Sequence, residues 1–328
     1  MSIYWRFSGL FVGILCVAIA FQSIGAIGSE IYYEVFKPGD TVTDQSTDSS
    51  HSYLVGYEGQ VPDTEFADKI AKTALAAHAS LYMVFNQCFS GGFIDELSKL
   101  GGTQFIFTAA RHSETASYGS PAPSGVDLDS TDTFNIALAD GNVPASIVAA
   151  ESVALNPFGP NPNAKRIGES MGSEHAQYLA IGGGDQLRPA NFADRGIAIL
   201  WAGHPAERDG KQMSLMIDRL ISMGFNANKI WLFYGAGTIE ASHPIAKTHF
   251  VGKAQPINLQ AALPKNLFSV FENSFNEKNS TPPEFVFFYV GDHGGLNFKE
   301  VAKTGFTPDP LVAPNFSMKP GIKTYGNK

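Results

Sequence analysis

Two apolar runs, at residues 80–87 and 284–291, constrain the fold of this chain more than any other feature of its sequence. The first run leads to Cys88 and the second to His293, and glycines follow both. Aromatic and branched residues that end at a glycine turn are typical of a buried strand. Such a turn places a side chain at the carboxyl end of the strand, where open α/β sheets hold their active sites. A thiol and an imidazole at two such strand ends predict nucleophilic cysteine catalysis.

Strand and helix patterns alternate through most of the chain. Apolar runs predict further strands at residues 103–110, 196–203 and 230–234. Apolar positions at helical spacing predict helices at residues 64–77, 93–100, 134–138, 144–155, 211–223 and 259–275. Because strands that alternate with helices form parallel sheets, the sequence predicts an α/β fold with a mostly parallel sheet.

The composition excludes several classes of protein and partner. The chain has 328 residues, of which 44% are hydrophobic, so it can form one large domain or two smaller ones around a packed core. Its net charge is −8 and it contains no basic run, which argues against a nucleic-acid partner. No glycine-rich dinucleotide motif occurs, and the histidines have no zinc-ligand spacing, so we expect neither an organic cofactor nor a metal.

Residues 1–28 have the pattern of a secretory signal peptide. Arg6 precedes a short apolar block, and small residues follow it near Ala26 and Gly28. The alternative is an uncleaved anchor helix, although the block is shorter than the roughly 20 apolar residues that span a bilayer. Such a signal would direct export of the chain out of the cell, to the periplasm or to a secretory or lysosomal lumen. Its cleavage would leave no membrane span.

Export leaves Cys88 as the single cysteine of the mature chain, because Cys16 departs with the signal. An unpaired thiol in an oxidising compartment indicates a reactive residue. The alternative interpretation is a buried cysteine that acts as a small hydrophobic residue.

We divide the rest of the chain into four segments. Residues 29–62 are polar and predict an irregular lead-in. Residues 63–187 form the Cys-bearing part of one domain, and residues 188–298 form its His-bearing part. Residues 299–328 predict a C-terminal tail.

The chain reads Asn-Gln-Cys-Phe-Ser-Gly-Gly at 86–92 and Phe-Phe-Tyr-Val-Gly-Asp-His-Gly-Gly at 287–295. These two motifs resemble the cysteine motif and the histidine motif of the legumain-like (asparaginyl endopeptidase) cysteine peptidases, which belong to the caspase-like group. Residues 108–118 resemble the loop that follows the cysteine segment, and residues 196–234 resemble the opening βαβ unit of the family. The resemblance implies a caspase-like three-layer sandwich.

The order of these motifs is inverted relative to the family, which places its histidine segment before its cysteine segment. A circular permutation accounts for the inversion: residues 195–295 followed by 53–187 restore the family order if the old ends were joined near 182–195. Permutation is tolerated when the termini lie close together at the surface. The alternative is an ordinary doubly wound protein with coincidental similarity.

The resemblance implies an endopeptidase that acts on a protein or peptide through a thioester. Cys88 would attack the peptide carbonyl, and His293 would take the thiol proton and give it to the leaving amine. The backbone N–H groups of Gly294 and Cys88 would bind the oxyanion.

The resemblance also implies a substrate pocket, for which the candidates are Asn86, Glu114, Ser117, Asp127 and Arg208. It places His204 near the third catalytic position, and the alternative for both Arg208 and His204 is an ordinary loop residue. Asn86 is an amide where the family has a charged residue, so this position does not favour a basic substrate side chain by charge. Two other functions stay open at this stage. A transpeptidase or ligase would use an amine in place of water, and an inactive relative would serve as a binding module.

Overall fold

The computed structural model describes residues 30–34, 52–110, 116, 130–155, 176–203, 207–240, 243, 245–250, 256–276, 281–292 and 294–296. The strands are β1 (Glu30–Glu34), β2 (Ser52–Val55), β3 (Gln60–Pro62), β4 (Ser80–Asn86), β5 (Gln104–Thr108), β6 (Gln177–Ile181), β7 (Gly196–Ala202), β8 (Ile230–Tyr234), β9 (Asn258–Gln260), β10 (Phe285–Gly291) and β11 (Gly294–Leu296). The α-helices are α1 (Asp63–Ile70), α2 (Gly92–Ser98), α3 (Ser130–Ala137), α4 (Ala145–Leu155), α5 (Glu207–Ser222) and α6 (Pro264–Ser274).

Eight strands form one mixed sheet in the order β1-β6-β5-β4-β10-β7-β8-β9. Six of these strands run parallel to one another: β5, β4, β10, β7, β8 and β9. Strand β6 is antiparallel to its two neighbours, β5 and β1. The remaining strands form a small antiparallel sheet in the order β11-β2-β3. The predicted α/β class with a mostly parallel sheet is therefore confirmed.

Helices cover both faces of the large sheet and make three layers. Buried side chains of α3, α4 and α5, such as Phe134, Val148 and Met216, pack on one face. Buried side chains of α1, α2 and α6, such as Phe66 and Phe271, pack on the other. Strands covered on both faces need apolar side chains at every position, which is why β4, β7 and β10 are continuous apolar runs.

The connection between β7 and β8 is the predicted βαβ unit. Helix α5 begins at Glu207, four residues earlier than the pattern at 211–223 suggested, and returns the chain to β8, which is parallel to β7. The earlier start brings the first turn of α5 to the carboxyl ends of these strands, because a helix in such a unit begins where the preceding strand ends.

Three parts of the structure differ from the sequence-based predictions. The segment 29–62, predicted to be irregular, contains β1, β2 and β3, which are strands of only three to five residues. The helix predicted at 259–275 begins at Pro264, since proline is favoured in the first turn, and residues before it form the edge strand β9. Strand β6 was not predicted.

None of the described helices is long and apolar enough to cross a membrane. The segment 1–28 and the tail at 299–328 lie outside the described residues.

Candidate functional site

Strands β4 and β10, which carry the two motifs, are neighbours in the sheet. They pair in parallel over seven consecutive residue pairs, and the last pair joins Asn86 to Gly291. Cys88 and His293 each follow that last pair by two positions in the sequence. His293 itself lies outside the described residues, but both of its neighbours, Asp292 and Gly294, are described.

Gly294 lies directly against the backbone of Cys88. A Cβ atom added at position 294 would be 1.7 Å from the carbonyl oxygen of Cys88 and 3.2 Å from its amide nitrogen. Both contacts are with backbone atoms, so only a glycine fits. The backbone on the carboxyl side of His293 therefore touches the cysteine residue, and the two backbone segments predicted to form the oxyanion hole are adjacent.

The Cys88 side chain is only 5% exposed. Its sulfur lies 3.9 Å from the carbonyl oxygen of Ala116, to which the thiol can donate a weak hydrogen bond. Phe89, Ala109 and Ala110 complete a small buried cluster around these two residues. A cysteine that is merely packed in this cluster would react slowly with a thiol reagent, because its surroundings exclude the reagent. The rate of labelling therefore distinguishes a nucleophile from a packed cysteine.

The turn after Cys88 has a backbone conformation that only specific contacts would maintain. Phe89 has φ of 60°, in the left-handed region where a non-glycine residue costs about 1–3 kcal/mol. The Ser90 hydroxyl donates to the Ala110 carbonyl at 3.2 Å and accepts from the Ala110 amide at 3.1 Å. This reciprocal pair attaches the turn to the chain just beyond β5.

Asn86, the predicted pocket residue at the end of β4, is buried. Its amide nitrogen donates a long hydrogen bond of 3.5 Å to the Tyr289 hydroxyl. Its side-chain oxygen has no hydrogen-bond partner among the described residues. A buried acceptor of this kind costs free energy unless a ligand, a water or another group satisfies it. Asn86 therefore presents an unused acceptor near Cys88.

Two buried carboxylates add negative charge to this end of the sheet. Asp292 follows β10, and Asp209 lies in the first turn of α5. Burial raises the pKa of Tyr234, at the end of β8, to about 12, and the charges of Asp209 and Asp292 act in the same direction. Sequence reasoning missed Asp209 and Tyr234, because their proximity depends on where β8 and α5 meet.

Replacing Tyr234 with phenylalanine is expected to reduce the loss of stability in alkali. A tyrosine in an unfolded chain has a pKa of about 10, so between about pH 10 and pH 12 the unfolded state releases the proton and the folded state keeps it. The free energy of unfolding must then fall as pH rises through this window. Urea unfolding at a series of pH values should show a smaller fall in Tyr234→Phe than in the wild type.

The control for this measurement is Tyr57→Phe, because Tyr57 is half exposed. Burial also raises the pKa of Tyr82 in β4. Tyr82 therefore contributes to the loss of stability in alkali, and this contribution remains in both variants. An equal pH dependence in Tyr234→Phe and Tyr57→Phe would contradict the assignment.

The other predicted site residues lie largely outside the description. Glu114, Ser117, Asp127 and His204 are outside the described residues. Arg208 belongs to the first turn of α5 beside the buried Asp209, but its side chain is outside the described part. Within the described ranges, no group of three or more histidine, cysteine or acidic residues could hold a metal ion.

A groove of about 390 Å³ lies at the opposite end of the sheet, between the amino ends of β7, β8 and β10. Its charged groups are already paired: Arg195 bonds Glu284 at 2.6 Å, and the Lys229 ammonium donates to the Asp194 carbonyl at 2.7 Å. The groove is far from Cys88 along the strands, so it is not part of the candidate site.

No protein-family model, no curated protein and no solved structure matches this chain. A functional assignment therefore depends on the motifs of this sequence and on the geometry around Cys88.

Proposed function

We propose that this chain is an exported, circularly permuted, legumain-like cysteine endopeptidase that uses Cys88 and His293 as its catalytic pair. The observation that carries the proposal is the in-register parallel pairing of β4 with β10, together with the contact of Gly294 with Cys88. Equal offsets past one residue pair bring the two motifs to the same edge of the sheet. A nucleophile and a base need that proximity to exchange a proton.

The pairing of β11 with β2 supports the permutation. In this antiparallel ladder Leu296 lies opposite Ser52 and Gly294 lies opposite Leu54. The permutation places its new ends between the histidine and cysteine segments, and these are the residues that flank that break. A short connection between 296 and 52 would join the two strands as a hairpin, and this proximity supports the permutation, because permutation is tolerated where chain ends lie close together.

In the proposed reaction, the Cys88 sulfur bonds to the carbonyl carbon of a peptide. His293 takes the thiol proton and gives it to the leaving amine as the C–N bond breaks, which leaves a thioester on Cys88. Water then attacks the thioester, one of its protons passes through His293 to the sulfur, and the carboxylic acid leaves. The proposed reaction uses no cofactor, because the thiol supplies the nucleophile and the imidazole transfers the proton.

The oxyanion that forms at the carbonyl would be bound by the backbone N–H groups of Cys88 and Gly294. Removing one side-chain donor from an oxyanion hole costs about 2.7–4 kcal/mol, and backbone N–H groups held in advance stabilise developing charge in the same way. The contact between the two backbones supports this role, since it keeps both residues within one small volume. Asn86, with its unused side-chain oxygen, is the described candidate for a pocket residue.

A catalytically silent binding module is the second candidate. The observation in its favour is that Cys88 is buried beside Ala116, as a cysteine with only a packing role would be. A silent relative would keep the fold and the surface at the carboxyl ends of the strands without using the thiol.

An active-site-directed peptide probe and a peptide mixture test the two candidates together. The probe is a peptidyl acyloxymethyl ketone, which alkylates an activated thiol. We expect one label, located at Cys88 by peptide mapping, and cleavage of the mixture that prior labelling blocks. Intact protein that is neither labelled nor able to cleave any peptide would overturn the endopeptidase and favour the binding module. New amide bonds formed in the presence of an added amine would instead indicate a ligase.

A further inference from the structure

Strand β2 touches three strand ends of the large sheet at the proposed site. The Gln87 side-chain nitrogen donates to the Tyr53 carbonyl at 3.2 Å, just beyond β4. The Trp201 indole of β7 donates to the Val55 carbonyl at 2.9 Å. Three residue pairs join β2 to β11, which follows β10. One strand of four residues thus contacts the segments that carry both proposed catalytic residues.

Ser52, the first residue of β2, contacts the cysteine turn through its side chain. Its buried hydroxyl donates to the Phe89 carbonyl at 2.5 Å, immediately after Cys88. Its backbone amide donates to the buried carboxylate of Asp63 at 2.7 Å. The contact with the turn is close: a Cβ added at Gly92 would be 2.2 Å from the Ser52 hydroxyl oxygen. Ser52 is therefore fixed from both sides.

The same residue also faces the histidine segment. Ser52 is paired with Leu296, and two residues along the strand Leu54 is paired with Gly294. A displacement of β2 would thus be transmitted to the turn of Cys88 and to the residue after His293 together. The Phe89 conformation, which is unfavourable in isolation, makes the first of these segments dependent on outside contacts.

We propose that Ser52 is a positioning residue, which acts through β2 to hold the Cys88 turn and the segment after His293 in one arrangement. Its catalytic consequence rests on the proposed function, whereas the coupling of the two segments does not. Leu296 and Ser52 lie far apart in the sequence, so the two segments are free to separate unless noncovalent contacts order them. The ladder and the Ser52 hydroxyl supply those contacts.

Hydrogen exchange of the full chain tests the coupling without reference to activity. In Ser52→Ala, which removes only the hydroxyl, we expect amides of residues 88–92 and of residues 294–296 to exchange at least about 10-fold faster, since a bond of about 1.4 kcal/mol or more corresponds to that factor. The matched control is Thr103→Ala, which removes a hydroxyl that donates to the Gly182 carbonyl at the opposite end of the sheet. This control should leave both segments unchanged.

A second variant keeps the test decisive if Ser52→Ala does not fold. Gln87→Met removes the hydrogen bond to Tyr53 but fills the same space, and the Gln87 side-chain oxygen has no partner among the described residues to lose. We expect a smaller acceleration of exchange in the same two segments. Acceleration at 88–92 without acceleration at 294–296, in either folded variant, would overturn the coupling.

The kinetics of the peptidyl probe test the consequence for catalysis. In Ser52→Ala we expect the maximal rate of labelling at Cys88 to fall about 10-fold or more, with the probe concentration for half-maximal rate unchanged, because positioning affects the reacting atoms and not the binding surface. Coupled exchange with an unchanged maximal rate would overturn the positioning role. Coupled exchange in a protein whose wild-type labelling does not depend on His293 would contradict the proposed function and leave the coupling in place.

Discussion

Replacing His293 with alanine is expected to slow the labelling of Cys88 by the peptidyl probe about 10²- to 10⁴-fold, which is the usual contribution of a positioned general base. Cys88→Ala should remove the label completely. A thiol with the ordinary pKa of about 8.5 is mostly protonated at neutral pH, so it needs an adjacent base to supply the thiolate. The second-order rate of labelling, measured against pH in the wild type and in His293→Ala, checks this expectation, and Cys88→Ala gives the unlabelled background.

The pH profile adds a feature that a change in stability alone would not produce. With His293 present, labelling should continue well below pH 8.5, because an imidazole with a pKa near 6.5 stays able to accept the proton. With alanine at 293, the rate should follow the titration of an isolated thiol. The matched control is His78→Asn, at an exposed turn before β4 whose positive φ asparagine tolerates. If His293→Ala and His78→Asn were labelled at the wild-type rate, the catalytic pair would be wrong.

The central strands were predictable from sequence because each is covered on both faces. A strand such as β10, in which seven successive residues are buried, needs an apolar run in the sequence. The edge strands have no such requirement: β9 is Asn-Leu-Gln and is half-buried throughout, so its pattern fitted the start of a helix as well as a strand. Strands β1, β2 and β3 have only three to five residues each, and β1 and β2 pair with strands far along the chain, β6 and β11.

The candidate site was predictable only as far as single motifs extend. The positions of Cys88 and Asn86 at the end of β4 follow from local sequence, and so does a glycine turn after each motif strand. The register of β4 with β10, the proximity of Asp209 to Tyr234 and the contact of Ser52 with Phe89 all join residues far apart in the chain. No local pattern specifies such contacts, because they depend on how complete elements pack. The most informative features of this site are therefore tertiary.

Replacing Gly294 with alanine is expected to separate the two motif segments. The added Cβ would lie 1.7 Å from the Cys88 carbonyl oxygen and 2.8 Å from its carbonyl carbon, and neither backbone atom can rotate away. Strand β11 must therefore shift from the cysteine turn. We expect probe labelling to fall at least 100-fold, as in the loss of a base, because a shift of about 1 Å at a reacting centre costs about that factor. Overpacking should also lower the free energy of unfolding by about 1–3 kcal/mol.

The control for Gly294→Ala must add the same methyl group at a position where the neighbouring side chain can move. Gly141→Ala meets this need, since its added Cβ would contact mainly the flexible side chain of Met223, at 2.6 Å. Labelling rate and urea unfolding, measured on both variants, separate the effect on the site from the effect on stability. A folded Gly294→Ala protein that lost labelling, beside a Gly141→Ala protein that kept it, would locate the effect at the contact with Cys88. Labelling of Gly294→Ala at the wild-type rate would mean that this contact is not needed for reactivity, and the closeness of the two strand ends would then lose its functional meaning.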